Sequence, residues 1–569
     1  MIVLGFSVGS DRGASIIKDN SVLISVTDSK LSKVKNDGVF SEDLPEKSIL
    51  HCLEQCNLSF SDIDYYVYTM SEIAVDISES FIKFTKQPKS KLKFIPHHLA
   101  HAFSSFHSSG YSNAMVLVSD GIGSILTKNS ELENWYKRLG YNILDTSKEN
   151  YDFAESVSLY YFSKNTYEEV YKNWVKYPLE SYTNEDSLNI ELMFGMAAKQ
   201  LTFNKLDYVF NKRNLTQLSE YDSSLKDRVY NLNSVDGEFC IPFEELNSNI
   251  RYDSSDFMSK CYVASVYQNE HTELTLDLIK YLSKYYVSNS LCLGGSLFSN
   301  PKTFNKVYKQ APFARIYVPP FVDDEGLSIG CAWWGYVQYN SRPSNIEFNS
   351  AVGKQFTNDE ILNDLKFINN VFSNEILEKY ELLEFNNDNE LSKKVATLLK
   401  QNKIVGIFKG KCDSGYTSLG NRSILANPTS RITTDYILRF VKEDEWYVKY
   451  GVSILDTKIN QVFEDDIYSP YMSVQSKVKN NWKYKAPGLI TAQDNLLYHS
   501  VMKGRNPFLF DVISNFNTLC DVPMVLNVNL SSKNDPMDYT PYDAIKTMYT
   551  KKLSALVLEN MMLVQKELL

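Results

Sequence analysis

The 569-residue chain is poor in histidine, with seven, and its eight cysteines form no CxxC pair. The scattered cysteines predict reduced, buried thiols in a cytosolic protein. No apolar run approaches the roughly 20 residues that span a bilayer. Met1-Ile-Val-Leu-Gly5 opens the chain without the basic segment of a secretory signal. Short repeats and low-complexity tracts are absent. Cations are in deficit: 59 Lys and Arg face 69 Asp and Glu, a net charge of −10. That balance disfavours a whole-surface grip on nucleic acid. The expectation is a cytoplasmic protein with no membrane partner.

What is present is ample core material, 43% hydrophobic residues, in a length that predicts two to four domains at about 100–200 residues each. The N-terminus reads as a meander. Ile2–Phe6, Ala14–Ile17 and Val22–Val26 are strands, separated by a Gly- and Ser-rich loop and by the turn Lys18-Asp19-Asn20. Residues 45–57 carry helical periodicity, Ile63–Tyr68 and Ala114–Ser119 are strands, and residues 272–288 form an amphipathic helix. Ser290–Leu293 and Ile316–Val318 are further strands, and Gly326–Gly335 is a small-residue helix. Asn340–Ser344 is a linker. Beyond it lie a helix at 388–401 and strands at Ile404–Phe408 and Met524–Leu526.

Three of the seven histidines fall within His97-His-Leu-Ala-His101. On a helix, His97 and His101 share one face and can share one metal. Structural histidines with ordinary hydrogen bonds fit the same spacing. Asp120 follows the 114–119 strand, and Asp323-Asp324-Glu-Gly326 supplies further carboxylates. Two imidazoles with carboxylates suit Fe²⁺, Mn²⁺ or Zn²⁺, with Mg²⁺ a further candidate. Glycine loops at Gly9–Gly13, Asp120–Ser124 and Gly294–Ser296 follow strands and let backbone N–H groups approach a phosphate, although each alone is an ordinary turn. Later, Gly406–Gly410 leads into Gly415–Ser423, where Lys409, Lys411 and Arg422 are candidate anion ligands.

At these residues the chain resembles the carbamoyltransferase family of the nodulation protein NodU and tobramycin carbamoyltransferase. The anchors run in order along the chain: Gly5 with Ser10-Asp11, His97–His101, Ser119-Asp-Gly121, Gly195-Met-Ala197, Cys292–Gly295, Asp324–Leu327 with Gly330, and Leu419-Gly-Asn-Arg-Ser-Ile-Leu-Ala426. The resemblance implies an α/β, actin-like ATPase domain (ASKHA, a duplicated ribonuclease-H-like fold) over residues 1–345 and a YrdC-like α+β domain over 346–569. It implies that carbamoyl phosphate is activated with ATP to a carbamoyl-adenylate in the second domain. The carbamoyl group then passes to an acceptor hydroxyl at a metal, iron by resemblance, in the first.

Carried over by position, the metal ligands are His97, His101, Asp120 and Asp324. Nucleotide and donor contacts fall to Ser10, Asp11, Gly121, Gly123, Gly294, Gly295, Lys409, Lys411, Asn421, Arg422, Ser423, Lys449 and Asn527. His98 is the candidate base, beside Asp120 and Arg422 as catalytic residues. The chain departs from the family where arginines are usual: Thr417, Val448-Lys-Tyr450 and Tyr498 stand there. Acceptor contacts are expected in residues 125–260. The acceptor classes are a sugar or antibiotic hydroxyl, or a hydroxymethyl-pyrimidine of DNA gripped by the basic segments 83–93 and 477–485. A second copy of the chain is a candidate partner. The rival readings are a tRNA threonylcarbamoyladenosine-type transferase and a non-catalytic binding subunit with a degenerate donor domain. The HHLAH pair and the C-terminal extension disfavour an actin-like sugar kinase.

Overall fold

The turn at Asp19-Asn20 is a two-residue hairpin with both residues left-handed, φ 49° and 64°. This is the turn whose twist matches antiparallel strands. It joins β2 (Gly13–Lys18) to β3 (Ser21–Thr27), and β1 (Ile2–Val8) pairs antiparallel with β2. β1 then pairs parallel with β4 (Tyr65–Met70), and β4 with β5 (Leu92–Phe94). The resulting five-stranded sheet has the order β3-β2-β1-β4-β5.

The protein is seen here in a computed structural model. It describes residues 1–9, 11–35, 42–121, 123–140, 152–163, 166–177, 216–217, 219, 234–235, 238–239, 256–339, 348–491, 493–533 and 535–569. Ser10, the 195–197 anchor, the 340–344 linker and most of the expected acceptor segment lie outside the described residues. The chain divides into two compact units, residues 1–32 with 36–348, and residues 33–35 with 349–569. Both are mixed α/β.

The first unit holds a second sheet. Its centre is β6 (Asn113–Ser119), flanked by β8 (Asp152–Ser163) and β10 (Ser290–Gly294). β7 (Ser124–Leu126) and β9 (Thr166–Tyr177) pair with β8, and β11 (Arg315–Tyr317) pairs with β10. β6 and β10 run parallel, in a register that sets Gly294 beside Val118. The loops after both strands therefore emerge together, at the strand ends where parallel sheets place ligands.

Four helices of this unit matter: α1 (His97–Ser109), α2 (Phe257–Leu282), α3 (Pro301–Gln310) and α4 (Leu327–Tyr339). α1 is buried along its length except at His107. Gly110, at φ 71°, ends it. α4 passes close to α1: a Cβ on Gly330 would lie 1.9 Å from the Ala100 carbonyl oxygen. α2 begins 15 residues before the amphipathic pattern at 272 and stops at Leu282. Asp256 caps it, accepting from the Ser259 N–H at 2.7 Å. Burial on several faces hides such a helix from a one-face periodicity search.

The second unit is built on nine strands: β12 (Tyr380–Glu384), β13 (Val405–Phe408), β14 (Arg422–Ala426), β15 (Val452–Leu455), β16 (Val474–Lys477), β17 (Asn495–Val501), β18 (Met524–Asn529), β19 (Ala555–Leu558) and β20 (Met561–Gln565). Their order is β12-β20-β19-β13-β14-β18-β15-β17-β16. The β13–β19 and β15–β17 pairs are parallel and the others antiparallel. Helix α5 (Asp388–Lys400) starts at Asn387, whose side chain accepts from the Glu390 N–H. Helix α6 (Pro507–Cys520) starts at Asn506, which accepts from the Leu509 N–H.

No helix among the described residues is long and apolar enough to cross a membrane. The seven described cysteines are free thiols.

Candidate metal centre

The ligand helix enters its first turn with its N–H groups already taken. Ser124 Oγ accepts from the His97 N–H at 3.2 Å, and Glu155 Oε2 accepts from the His98 N–H at 3.2 Å. This fixes the helix rotation that aims both ligand imidazoles inward. His97 Nε2 and His101 Nε2 stand 3.0 Å apart. Asp120 Oδ2 lies 3.0 Å from His97 Nε2 and 3.4 Å from His101 Nε2. Asp324 Oδ1 lies 3.3 and 3.4 Å from the same two atoms. All four donor atoms fall within 4.8 Å of one another.

These spacings fit a divalent ion. Donors about 2.1 Å from one metal are separated by about 3.0 Å at right angles and about 3.4 Å at the tetrahedral angle. Asp324 Oδ1 is turned toward both imidazole Nε2 atoms, as a donor aimed at a shared point would be. Two neutral imidazoles and two carboxylates balance a 2+ charge. They close a four-coordinate site or leave two positions of a six-coordinate one.

The outer contacts orient the donors. Asp120 Oδ1 accepts from the Gly121 N–H at 2.8 Å, the Ser296 N–H at 3.2 Å and Ser296 Oγ at 2.5 Å, which leaves Oδ2 for the imidazoles. Ser71 Oγ lies 3.4 Å from His97 Nδ1 and 3.5 Å from Asp324 Oδ2. Burial opposes charge on His97, but the Asp324 charge and the Asp120 hydrogen bond outweigh it and push the imidazole up to about 10. His101 is raised against the same burial by hydrogen bonds to Asp120 and Asp324. Burial alone would raise Asp120, yet its bonds to His101 and His97 hold it well below the usual carboxylate range.

His98 faces away from this cluster. Its Nδ1 meets Ser158 Oγ at 2.7 Å, and burial pulls it down to about 3. Its Nε2 is buried without a hydrogen-bond partner, and its ring packs against Gly123. Gly294 and Gly295 have a packing reason for their lack of a side chain. A Cβ on Gly294 would lie 2.8 Å from Ser105 Oγ. One on Gly295, at φ +93°, would lie 2.2 Å from the Ser119 carbonyl oxygen. Asp11 sits in the β1–β2 turn at φ 45°, its carbonyl accepting from Ser7 Oγ at 3.4 Å.

In the second unit the Asp413–Ser423 loop is pinned from within. Asp413 accepts from the Leu419 and Asn421 N–H groups at 3.0 and 3.3 Å and from Asn421 Nδ2 at 2.6 Å. Ser423 Oγ meets Ser418 Oγ at 2.6 Å, and Asn527 Nδ2 donates to the Ser418 carbonyl at 3.1 Å. Arg422 is wholly buried, with its guanidinium 3.7 Å from the Phe408 ring centre. It donates to the carbonyls of Lys409, Gly410, Asn421 and Lys354 at 2.8–3.4 Å. Such a fork shapes the Lys409-Gly410 turn, and the Arg422 Nε is left without a hydrogen-bond partner.

Lys409 is paired with Asp388 at 2.9 Å. Lys411 is exposed. Lys449 is half-buried, and that burial lowers its affinity for a proton. Val448 and Tyr498 are core residues, Tyr498 stacking on Phe463 with ring centres 4.2 Å apart.

In the basic segments the two aromatics of 482–485 part ways: Tyr484 is exposed. Trp482 is buried and donates Nε1–H to the Gln461 carbonyl at 3.0 Å, so it cannot stack on a base. Lys89 is paired with Asp76 and Lys483 with Asp494, each at 2.6 Å.

Both ends of the chain match models of one family. Residues 68–333 match the carbamoyltransferase N-terminus and residues 396–566 the carbamoyltransferase C-terminus. The chain belongs to the carbamoyltransferase family. It is 24% identical to an uncharacterized protein of Methanocaldococcus jannaschii, over 98% of this chain and 99% of that one. It is 23% identical to the nodulation protein NolNO of Sinorhizobium fredii, over 96% of this chain and 78% of that one. Among solved structures, full-length HypF in its phosphate- and nucleotide-bound form aligns with a TM-score of 0.35 and 12% identity, over 60% of this chain and 56% of that one.

Proposed function

We propose that the chain is an O-carbamoyltransferase whose transfer centre is the divalent metal site of His97, His101, Asp120 and Asp324. The observation that carries this reading is the convergence of those four donors in a chain whose two ends match carbamoyltransferase models. The β3-β2-β1-β4-β5 order of the first sheet supports the actin-like, ribonuclease-H-like reading of residues 1–345. The nine-stranded mixed sheet is compatible with a YrdC-like domain over 346–569, activating carbamoyl phosphate with ATP.

A bound divalent ion would supply Lewis acidity to a carbonyl or phosphoryl oxygen. The chain's own residues do the rest. Ser296 and the Gly121 N–H hold Asp120 so that one oxygen faces the imidazoles. Ser71 bridges His97 and Asp324. In the transfer, the acceptor oxygen forms a bond to the carbamoyl carbon, the bond to the leaving phosphate or adenylate oxygen breaks, and the hydroxyl proton passes to solvent or to that leaving oxygen. The test is mass spectrometry of hydroxylated acceptors, including sugars, aminoglycosides and hydroxymethylated DNA, incubated with carbamoyl phosphate, ATP and Fe²⁺, Mn²⁺ or Zn²⁺. A mass gain of one CONH unit is expected. No gain with any metal or acceptor counts against the reading.

One observation favours a second reading, in which the C-terminal unit no longer activates its own donor. Arg422 is committed to backbone carbonyls, and Val448 and Tyr498 are core residues. Under that reading the chain releases neither AMP nor pyrophosphate from carbamoyl phosphate and ATP, yet still transfers from a supplied carbamoyl-adenylate.

A further inference from the structure

Beneath the ligand helix lies an ion pair that the transfer reading does not use. Glu155, on β8, is fully buried, and Lys172, on β9, is 8% exposed; the Lys172 ammonium bonds Glu155 Oε1. Lys172 Nζ also lies 5.2, 5.9 and 6.0 Å from the ring centres of Trp174, Tyr160 and Tyr136. A buried pair of this kind is weak evidence for stability, because removing two charges from water costs about as much as their attraction returns. Its other contacts are more telling. Glu155 Oε2 accepts from the His98 N–H at 3.2 Å and from the Ser124 N–H at 3.1 Å, and the Glu155 carbonyl accepts from the Gly123 N–H at 3.1 Å. One residue thus joins the first turn of the helix carrying His97 and His101 to the loop that follows Asp120.

The electrostatics point the same way. A helix N-terminus carries about half a positive charge and attracts anions. His97 and His101 would hold a divalent cation beside just such an end, where the helix dipole opposes it. A carboxylate on the His98 N–H of the first turn offsets that opposition. Gly123 leaves room for it: a Cβ there would lie 2.7 Å from Glu155 Cβ and 2.9 Å from the His98 ring.

We propose that Glu155 is a positioning residue for the metal cluster, fixing ligand helix and Asp120 loop together and supplying the negative charge that lets a divalent cation sit at a helix N-terminus, with Lys172 as its anchor. This rests on the metal reading above. The two partners are unequal in it: the carboxylate favours the cation, whereas the ammonium opposes it and serves to hold the carboxylate in place.

The test is titration of Co²⁺ into the full-length protein, followed by calorimetry and visible absorption, with thermal unfolding of each metal-free variant alongside. Wild type should bind Co²⁺ and the His97→Ala/His101→Ala double variant should not. Glu155→Gln should weaken binding by about tenfold to a hundredfold, the range for outer-shell partners. Glu155→Gln/Lys172→Met should weaken it as much while melting close to wild type, since it leaves no lone buried lysine. Lys172→Met, which keeps the carboxylate but removes its anchor, should weaken binding less than Glu155→Gln does.

Wild-type affinity in Glu155→Gln/Lys172→Met overturns the positioning role and leaves the metal reading standing. Equal weakening in Lys172→Met and Glu155→Gln also overturns it, because a purely structural pair loses the same whichever half is removed. Failure of wild type to bind Co²⁺ overturns both.

Discussion

Asp120 reaches two imidazoles with one oxygen and a serine hydroxyl with the other: Oδ2 lies 3.0 Å from His97 Nε2, and Oδ1 lies 2.5 Å from Ser296 Oγ. The serine comes from the turn after β10 and leaves Asp120 one oxygen for the imidazoles. Ser296→Ala removes one of the three donors that hold Oδ1 and loosens the carboxylate. Metal affinity should fall by about tenfold, at the lower end of outer-shell effects, with no loss of thermal stability. Ser296→Thr should restore it. Titration calorimetry with Zn²⁺ reads both.

Replacing a ligand has a harsher outcome. His97→Ala and His101→Ala should each abolish carbamoyl transfer and remove bound metal together, measured by elemental analysis of the purified protein and by product mass. Full activity in both variants would remove the metal from the mechanism.

Proton competition gives the centre a pH dependence. In metal-free protein His97 is held up at about 10 and His101 is also raised, whereas an unfolded histidine titrates near 6.5. The stabilisation that follows is complete below the unfolded value and is lost as pH rises through the folded one. Metal-free protein should therefore lose melting temperature between about pH 7 and about pH 10, to the extent that other groups do not offset it. Metal binding should release protons and tighten with pH over the same interval. Calorimetry in buffers of different ionisation enthalpy counts the protons.

Arg422 offers a contrast between charge and architecture. Arg422→Met takes the guanidinium from four carbonyls, of which that of Asn421 still accepts from the Lys409 N–H, so the C-terminal unit should lose about 2–5 kcal/mol of stability. Urea unfolding is the measurement. Arg422→Lys should rescue little, because one ammonium cannot span a planar fork. A variant as stable as wild type would return Arg422 to a role in donor chemistry.

The α1–α4 contact is equally exacting. Gly330→Ala would drive a methyl to 1.9 Å from the Ala100 carbonyl oxygen, and backbone must yield. A loss of about 3 kcal/mol, the upper part of the overpacking range, should come with weaker metal binding, because α1 carries the ligands. Thermal unfolding and metal titration on the same samples check the coupling.

Much of this was legible before folding. The HxxxH spacing picked out His97 and His101, and the strand ending at Ser119 pointed to Asp120. The choice between Asp323 and Asp324 needed the resemblance; in the structure Asp323 instead accepts from the Asp324 N–H at 3.0 Å. Ser71, Ser296, Glu155 and Lys172 were invisible, because their roles depend on contacts 17 to 253 positions away along the chain. A lone serine or a Glu–Lys pair across a hairpin carries no local pattern. In the basic-aromatic stretch at 477–485 the fold spends Trp482 on its core and leaves Tyr484 exposed, a division that composition does not show.

The four metal donors come from three stretches of chain, around 97–101, 120 and 324. During synthesis the histidines and Asp120 leave the ribosome long before Asp324 does. The nascent chain therefore carries an incomplete coordination set until most of the first unit has been made. Loading with metal becomes a late event, and a fragment truncated before Asp324 should hold its ion poorly or lose it to cellular chelators.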